Sequence, residues 1–440
     1  MTAINGASTG EVRDDWIPKA DYISREFAAL EEARLWPRVW QLACREEELA
    51  NVGDFVTYEV ANESIVVLRS SPQEIRAFFN VCMHRGRQLT DGCGHMTQFV
   101  CRYHGWRYNL EGRCTKVVDR GDWGDSLNDD DIALRPVRVA TWGGFVFVNM
   151  DSTAPPLEEF LKPVIDHCDL FEIDKMRFFY YRTLKYPCNW KVFIEGFDEA
   201  YHAQQSHPQL MELIKDNARS RSFGLHSNLY WDIASVSRFG PADRLNRSAD
   251  PDHRKYVLEY HKEIVEQLGA MTSPRTYQAV QRLRTEVSAD ATPFEVVSKM
   301  RQFQREAAEA DGIALPVLAP EYLAASGFNW HVFPNVVFQH QGLDSLLFYR
   351  ARPDGSDPDN CIIDVWSLMR YGPGKAPRLE REFYLDWRNA KLGRILDQDF
   401  VNLHAVQRGM KSRGFTAARP NPRQEGSVSN LHKGLRSFCA

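Results

Sequence analysis

No stretch of this chain approaches the roughly 18 uninterrupted apolar residues of a membrane-spanning helix, so no membrane span is expected. Positive charge is not in excess either. The 54 Lys and Arg against 59 Asp and Glu leave a net charge of −5, which argues against nucleic acid as a partner. Met1–Asp15 is small and polar and lacks the apolar core of a secretory signal. No internal repeat or low-complexity tract interrupts the chain. Cysteine forms no even framework: nine residues, an odd count, are scattered through 440 positions. That pattern points to a reducing cytoplasm, with some thiols as ligands and the rest buried.

What is present is an ordinary globular composition, 43% hydrophobic and 26% charged, with aromatics at 12%. A chain of this length is expected to divide its core between two domains. Residues 1–45 read as an N-terminal helical segment, because Tyr22, Phe27, Leu30, Leu35, Val39 and Leu42 recur at near-helical spacing. Residues 46–155 hold short β-branched and aromatic runs punctuated by Gly, Asn and Asp, a small all-β unit. Ala154-Pro155-Pro156 marks a linker. Residues 156–440 form a larger domain. It is read with a helix near 188–203, a polar helical stretch near 251–312, strands near 328–371 and a long helix near 378–411. The fold class expected is α+β.

The first chemical constellation is Cys82-Met-His84 followed by Cys101-Arg-Tyr-His104. Each half offers one thiolate and one imidazole. A 2Fe–2S cluster can divide these, two cysteines on one iron and two histidines on the other, and neutral imidazoles raise its reduction potential. Gly86 follows His84 by two residues and Gly105 follows His104 directly, and glycine at these places lets the backbone turn tightly. Zinc takes the same ligand types, but zinc motifs pair like with like, whereas here each pair is mixed. Cys93 and Cys114 fit neither ligand slot and read as loop or buried thiols.

The second constellation is Glu199, His202, His207 and Asp399. Two histidines five apart lie about 140° apart on a regular helix and cannot share an ion without a break. Pro208 supplies one, because the residue before a proline avoids the helical region. Two imidazoles and a carboxylate make the facial triad of non-haem Fe(II) oxygenases, with positions left open for O2. Among Asp364, Asp386, Asp397 and Asp399, the last interrupts an apolar face formed by Leu392, Leu396, Leu403, Val406 and Met410. A carboxylate in an apolar stripe is costly unless paired or bound to metal.

The segments Cys82-Met-His84-Arg-Gly86 and Cys101-Arg-Tyr-His104-Gly105-Trp106 resemble the Rieske family, in its oxygenase and ferredoxin branch. The respiratory branch carries an extra cysteine in each loop, where this chain has Arg87 and Tyr103. With the second constellation, residues 20–435 resemble the large (α) catalytic subunit of a Rieske non-haem iron oxygenase of the aromatic-ring-hydroxylating family. That resemblance implies a small all-β Rieske domain and a catalytic domain with an antiparallel sheet covered by helices. It implies a 2Fe–2S cluster on Cys82, His84, Cys101 and His104, and mononuclear Fe(II) on His202, His207 and Asp399. It further implies O2 as co-substrate, NAD(P)H used through a reductase or ferredoxin, and a homotrimer or α3β3 assembly. In such assemblies a carboxylate at the position of Glu199 bridges His202 to the partner subunit's His104. Many ring dioxygenases have aspartate there; glutamate changes reach but not charge. Asp198 next door is expected to turn away.

For the substrate pocket, Phe197, Ile233, Phe239, Asn329, His331, Phe333, Leu343, Phe348 and Phe400 are the residues expected, most of them apolar, which suits a hydrophobic or aromatic substrate. The reaction expected is ring cis-dihydroxylation, with oxidative N- or O-dealkylation as the alternative. A reading from another class is an electron carrier without oxygen chemistry of its own. Arg85, Arg87, Arg102, Arg107, Arg113 and Lys116 crowd the cluster segment and suit a basic dock for an acidic electron donor.

Overall fold

In a computed structural model of the chain, residues 11–232 and 237–440 are described. The chain forms two compact units: Ala29–Lys162, and Pro163–Ala440 together with the N-terminal residues through Ala28. The expected N-terminal segment 1–45 is therefore split. Its helical part stops at Leu35, and Trp36 before Pro37 still keeps helical dihedrals, φ −58° and ψ −38°; Pro37 has no N–H with which to carry the helix on. Gln41–Arg45 is instead a fully buried strand of the smaller unit, paired with Phe145–Asn149.

The smaller unit holds a seven-stranded sheet and a three-stranded one. In the larger sheet the order is Gln41–Arg45, Phe145–Asn149, Pro136–Trp142, Glu74–Phe79, Glu63–Ser71, Asp54–Val60 and Cys93–His95. The smaller sheet comprises Phe99–Val100, Arg107–Tyr108 and Cys114–Lys116. Phe55, Val66, Leu68, Phe78, Phe99, Trp106 and Tyr108 pack one core, and Cys82 and Cys101 belong to it.

The larger unit is built on an eight-stranded sheet. Its order is Ala218–Phe223, His226–Trp231, Asn329–Val332, Val336–Gln339, Ser345–Pro353, Cys361–Met369, Arg177–Tyr186 and Arg381–Tyr384. All neighbours run antiparallel except the last pair, which is parallel. The polar stretch 251–312 is not one helix. It breaks into Arg254–Gln267, Pro274–Val280, Leu283–Glu286 and Pro293–Ala310. Pro274 and Pro293 each open a helix whose first N–H needs no partner, behind the side-chain caps Ser273 and Thr292. The expected helix 188–203 ends at Glu195, and that near 378–411 begins only at Arg394.

The chain ends are tied into this larger unit. Ile17–Pro18 pairs with Ala417–Ala418. Buried His432 of helix Gly426–Cys439 lies 3.2 Å from Asp21 and 2.7 Å from Glu195. Within the sheet, on strand Cys361–Met369, Asp364 is fully buried against Arg350 and Arg352, which hold its carboxyl well below the usual range against the opposing effect of burial. Among the described residues no helix is long and apolar enough to cross a membrane.

Candidate active site and its two metal-ligand sets

In the smaller unit the two Cys–His segments are turns of the same construction. Val81 pairs with Gln88 and Val100 with Arg107. Inside these pairs the Cys82 N–H donates to Arg87 O and the Cys101 N–H to Trp106 O, both at 2.8 Å. Gly86 N–H donates back to Cys82 O and Gly105 N–H to Cys101 O. Gly86 and Gly105 sit at φ +74° and +73°, the left-handed region that a side chain disfavours. The thiols lie in the core at 2% exposure, while His84 and His104 stand at its rim with ring centroids 4.5 Å apart. Trp106 stacks on His84 at 4.9 Å.

This donor set fits a cluster. His84 Nδ1 and His104 Nδ1 are both buried and without a hydrogen-bond partner, a costly state for two polar atoms unless a ligand completes them. Burial and the neighbouring His104 push the His84 pKa down, favouring the neutral imidazole a metal takes. Burial pushes the Cys82 thiol up. Tyr108 Oη lies 3.3 Å from Cys82 Sγ and accepts from Met83 N–H at 3.1 Å. Nothing in the linear spacing points to this tyrosine; its strand aims it at the first loop. Cys93 is exposed and Cys114 partly buried.

In the larger unit, helix Trp190–Glu195 starts at the cap Asn189, whose side chain accepts from Lys191 N–H. The same asparagine donates to Tyr22 O and Pro358 O, and its backbone N–H donates to Gln407 Oε1 at 3.0 Å. Gln407 lies on helix Arg394–Met410, so this bond joins the two helices. Gly196 permits their close approach: a Cβ there would meet Leu403 Cδ2 at 2.6 Å. The chain then leaves helical geometry until His202, which caps a single turn, Ala203–Ser206. His207 ends that turn at φ −124°, ψ 56°, and Pro208 opens the next. The break that the proline implied thus falls on both sides of a one-turn helix.

Asp399 rises from helix Arg394–Met410, 6% exposed. The buried face there is Leu396, Asp399, Phe400, Leu403, Gln407 and Met410. Val406, expected on that face, is 43% exposed, because the helical repeat places Leu403 and Gln407 inward instead. Asp399 Oδ1 lies 2.9 Å from His207 Nε2 and 3.5 Å from His202 Nε2. One ligand atom from each of the three side chains lies within 4.8 Å of the others. The opposite ring nitrogens are engaged: His202 Nδ1 bonds Glu199, and His207 Nδ1 sits 3.0 Å from Gln398 Oε1. Such outer partners fix tautomer and ring orientation at metal sites. Gln398 has no signature in the sequence beyond its place before Asp399.

Burial, the largest single influence, lowers the His202 pKa, but Glu199, its hydrogen bond and Asp399 outweigh it and hold the imidazole up at about 9. Two carboxylates thus face two imidazoles, a donor set that suits a divalent ion. Asp198 is fully buried and points elsewhere, 3.6 Å from His331 Nδ1, and burial pushes its carboxyl well up.

Two adjoining cavities open on this site. The inner one, about 120 Å³, is lined by Glu199, His202, His207 and Asp399 together with Phe197, Trp231, Tyr260, Phe328 and Tyr349. The outer one, about 400 Å³, includes Arg238, Phe239, Arg301, Arg305 and Leu343. Of the expected pocket residues, Phe197 therefore lines the inner cavity, and Phe239 and Leu343 the outer. Ile233 lies outside the described residues. The other five do not reach either cavity, for identifiable reasons. Asn329 and His331 share a sheet face with Tyr349 through their register, but the 197–198 segment covers them: Asn329 donates to Phe197 O at 3.2 Å. Phe348 follows the two-residue alternation to the opposite face and stacks on Phe338 at 5.0 Å. Phe333 stacks on Phe438 at 5.7 Å, and Phe400 packs on Tyr186 at 5.2 Å.

Comparison with known proteins agrees with this architecture. Residues 173–440 match the ring hydroxylating alpha subunit (catalytic domain), and residues 39–123 the Rieske [2Fe-2S] domain. The chain is 29% identical over 249 residues to a glycine betaine monooxygenase oxygenase subunit of Chromohalobacter salexigens, covering 53% of this chain and 56% of that protein. It is 32% identical over 210 residues to the carnitine monooxygenase oxygenase subunit of Escherichia coli K12, covering 45% and 54%. The chain thus spans about half the length of the curated relatives it matches. A solved quaternary ammonium Rieske monooxygenase shares the fold over 97% of this chain and 96% of its own, with TM-score 0.64 and 19% identity. A naphthalene 1,2-dioxygenase variant bound to phenanthrene does so over 99% and 94%, with TM-score 0.65 and 16% identity. The catalytic-domain match removes the reading as an electron carrier alone, and the Rieske match removes zinc. The chain belongs to the ring-hydroxylating alpha-subunit family of Rieske non-haem iron oxygenases, whose cofactors are a 2Fe–2S cluster and a mononuclear iron.

Proposed function

We propose that this oxygenase is a monooxygenase of quaternary ammonium compounds, cleaving a C–N bond, rather than a ring dihydroxylase. The observation that carries the reading is the wall of the inner cavity. Trp231 and Phe328 stack there at 4.2 Å, Tyr260 and Tyr349 stand beside them, and Glu199 and Asp399 add carboxylates, whereas Asp216 is taken up by Arg244. Its one lysine, Lys215, is drawn off by Asp243 at 2.6 Å. Aromatic faces and carboxylates are the chemistry that holds a methylated ammonium. The names of the relatives in glycine betaine and carnitine oxidation support the same reading.

Within it, Cys82, His84, Cys101 and His104 hold the cluster, and the Nε2 atoms of His202 and His207 with Asp399 hold the iron. When bound, the cluster supplies electrons singly and the iron activates O2. One oxygen atom enters a C–H bond beside nitrogen; the other leaves as water with two electrons and two protons. The resulting carbinolamine collapses to an aldehyde and an amine. Trp231, Phe328 and Tyr349 orient the ammonium and exclude water, while Glu199 and Gln398 keep the imidazoles in register. Glu199 is also the side chain proposed to reach His104 of the partner subunit in a trimer. A reductase or ferredoxin supplies electrons, in the cytoplasm.

Product analysis tests the reading. Reduced enzyme is offered choline, glycine betaine, L-carnitine and naphthalene under O2. An amine with its matching aldehyde is expected from an ammonium compound. A cis-diol from naphthalene with no amine from the others would return the assignment to ring dihydroxylation.

A further inference from the structure

The two cavities carry opposite charge. The acids of the inner one are Glu199, Asp399 and Asp216, the last already paired with Arg244. The outer one presents Arg238, Arg301 and Arg305. Its only carboxylate among the described lining residues, Asp344, is already held by Thr276 at 2.8 Å and by Arg275 at 3.2 Å. By contrast, no carboxylate among the described residues pairs with Arg238, Arg301 or Arg305. Buried His261 and His340 also line the outer cavity, and burial pushes both down to about 4, so near neutral pH they add no charge. The cavities share Trp231, Met271 and Gln341 as common walls.

Arg238 stands at this junction. Its Nη1 donates to Gln341 Oε1, which also accepts from Tyr260 Oη at 2.6 Å. Its guanidinium lies 5.0 Å from the Tyr260 ring centroid, and Tyr260 is itself a wall of the inner cavity. Holding an unpaired guanidinium at a half-buried position is unfavourable unless an anion completes it. Arg305 spends one donor on Leu315 O at 3.1 Å, and Arg301 is exposed.

We infer that the outer cavity is a carboxylate subsite centred on Arg238, so that the enzyme takes a zwitterion with its ammonium end inward and its carboxylate at the junction. This rests on the ammonium reading above for the inner end but not for the subsite itself. The planar fork of Arg238 suits bidentate capture of a carboxylate. Arg301 and Arg305 lie further along the same wall and add long-range attraction rather than contact. The pairing of an acidic inner wall with a basic outer one discriminates against choline, which has no anion to place.

The test is equilibrium binding to oxidised, cofactor-loaded enzyme, followed by calorimetry, so turnover is not the readout. The probes are γ-butyrobetaine, its methyl ester and benzoate. The parent is expected to bind the acid about tenfold more tightly than the ester, the scale of a charge-assisted contact. Arg238→Gln removes that preference and leaves ester affinity within about twofold; Arg238→Lys restores part of it. Arg301→Gln, at an exposed position that cannot unfold the chain, lowers acid affinity by a smaller factor that salt abolishes. Equal binding of acid and ester by the parent overturns the subsite while leaving the ammonium reading intact. Equal loss of both in Arg238→Gln also overturns it, marking that arginine as structural. Binding of benzoate alone, lost in Arg238→Gln, sustains the subsite and overturns the ammonium reading.

Discussion

The two metal-ligand sets are built by opposite means. In the smaller unit, four ligands come from two turns that repeat one another bond for bond, Cys82 with Arg87 and Gly86, Cys101 with Trp106 and Gly105. Each turn positions its own thiolate and imidazole, and the turns need only a shared core beneath them. In the larger unit, His202 and His207 flank a single helical turn, while Asp399 arrives on a helix far along the chain. Their meeting depends on Gly196 against Leu403 and on Asn189 bonded to Gln407. A local site tolerates loss of distant packing; a site assembled at long range does not. The second set should therefore be the more fragile, and its orienting residues matter as much as its ligands.

The largest effect comes from the ligands themselves. Asp399→Ala is expected to release only the mononuclear iron and end O2-dependent turnover, with the cluster spectrum unchanged. Cys101→Ser should bleach the cluster and leave the other iron bound. Iron analysis beside visible absorption separates the two, and coupled loss in both variants would show that the two sites do not form independently. Next is Gln398→Leu, which leaves His207 Nδ1 without its 3.0 Å partner. Mononuclear iron affinity should fall by about 10- to 100-fold, the usual weight of such orienting contacts, read by chelator competition.

Smaller still is Tyr108→Phe. A hydrogen bond to a cluster sulfur stabilises its more negative, reduced state. Losing one of about 1 kcal/mol should lower the one-electron potential by roughly 40 mV, read by redox titration with iron content unchanged. Last is the donor dock. Arg85, Arg87, Arg102, Arg113 and Lys116 are exposed beside the cluster turns. Reduction by the native donor should slow several-fold between low and physiological salt; a rate indifferent to ionic strength excludes the dock.

The outcome of reading the chain differs between the same two regions. The mixed pairs Cys82/His84 and Cys101/His104 were enough to name a cluster, because each lies within one short turn closed by a glycine four residues after its cysteine. Asp399 was legible only as an anomaly, a carboxylate on an apolar helical face. The helix expected over 188–203 stops at Glu195, because propensity does not register the close approach of helix Arg394–Met410 at Gly196. Pocket residues fared least well. Phe348 and Tyr349 are adjacent and equally aromatic, yet only Tyr349 faces the cavity. Strand alternation separates them, and which parity faces the metal is decided by what packs on each side of the sheet.

The ligand chemistry was thus determined by the sequence itself: thiolate and imidazole pairs in repeated turns, and two histidines five apart ahead of a proline. Those choices follow from covalent spacing and backbone preference, which act over a few residues. The acidic inner cavity, the arginines of the outer one, and Gln398 behind His207 were decided only in the tertiary structure. Each joins segments far apart in the chain, and their proximity is set by core packing rather than by any local preference.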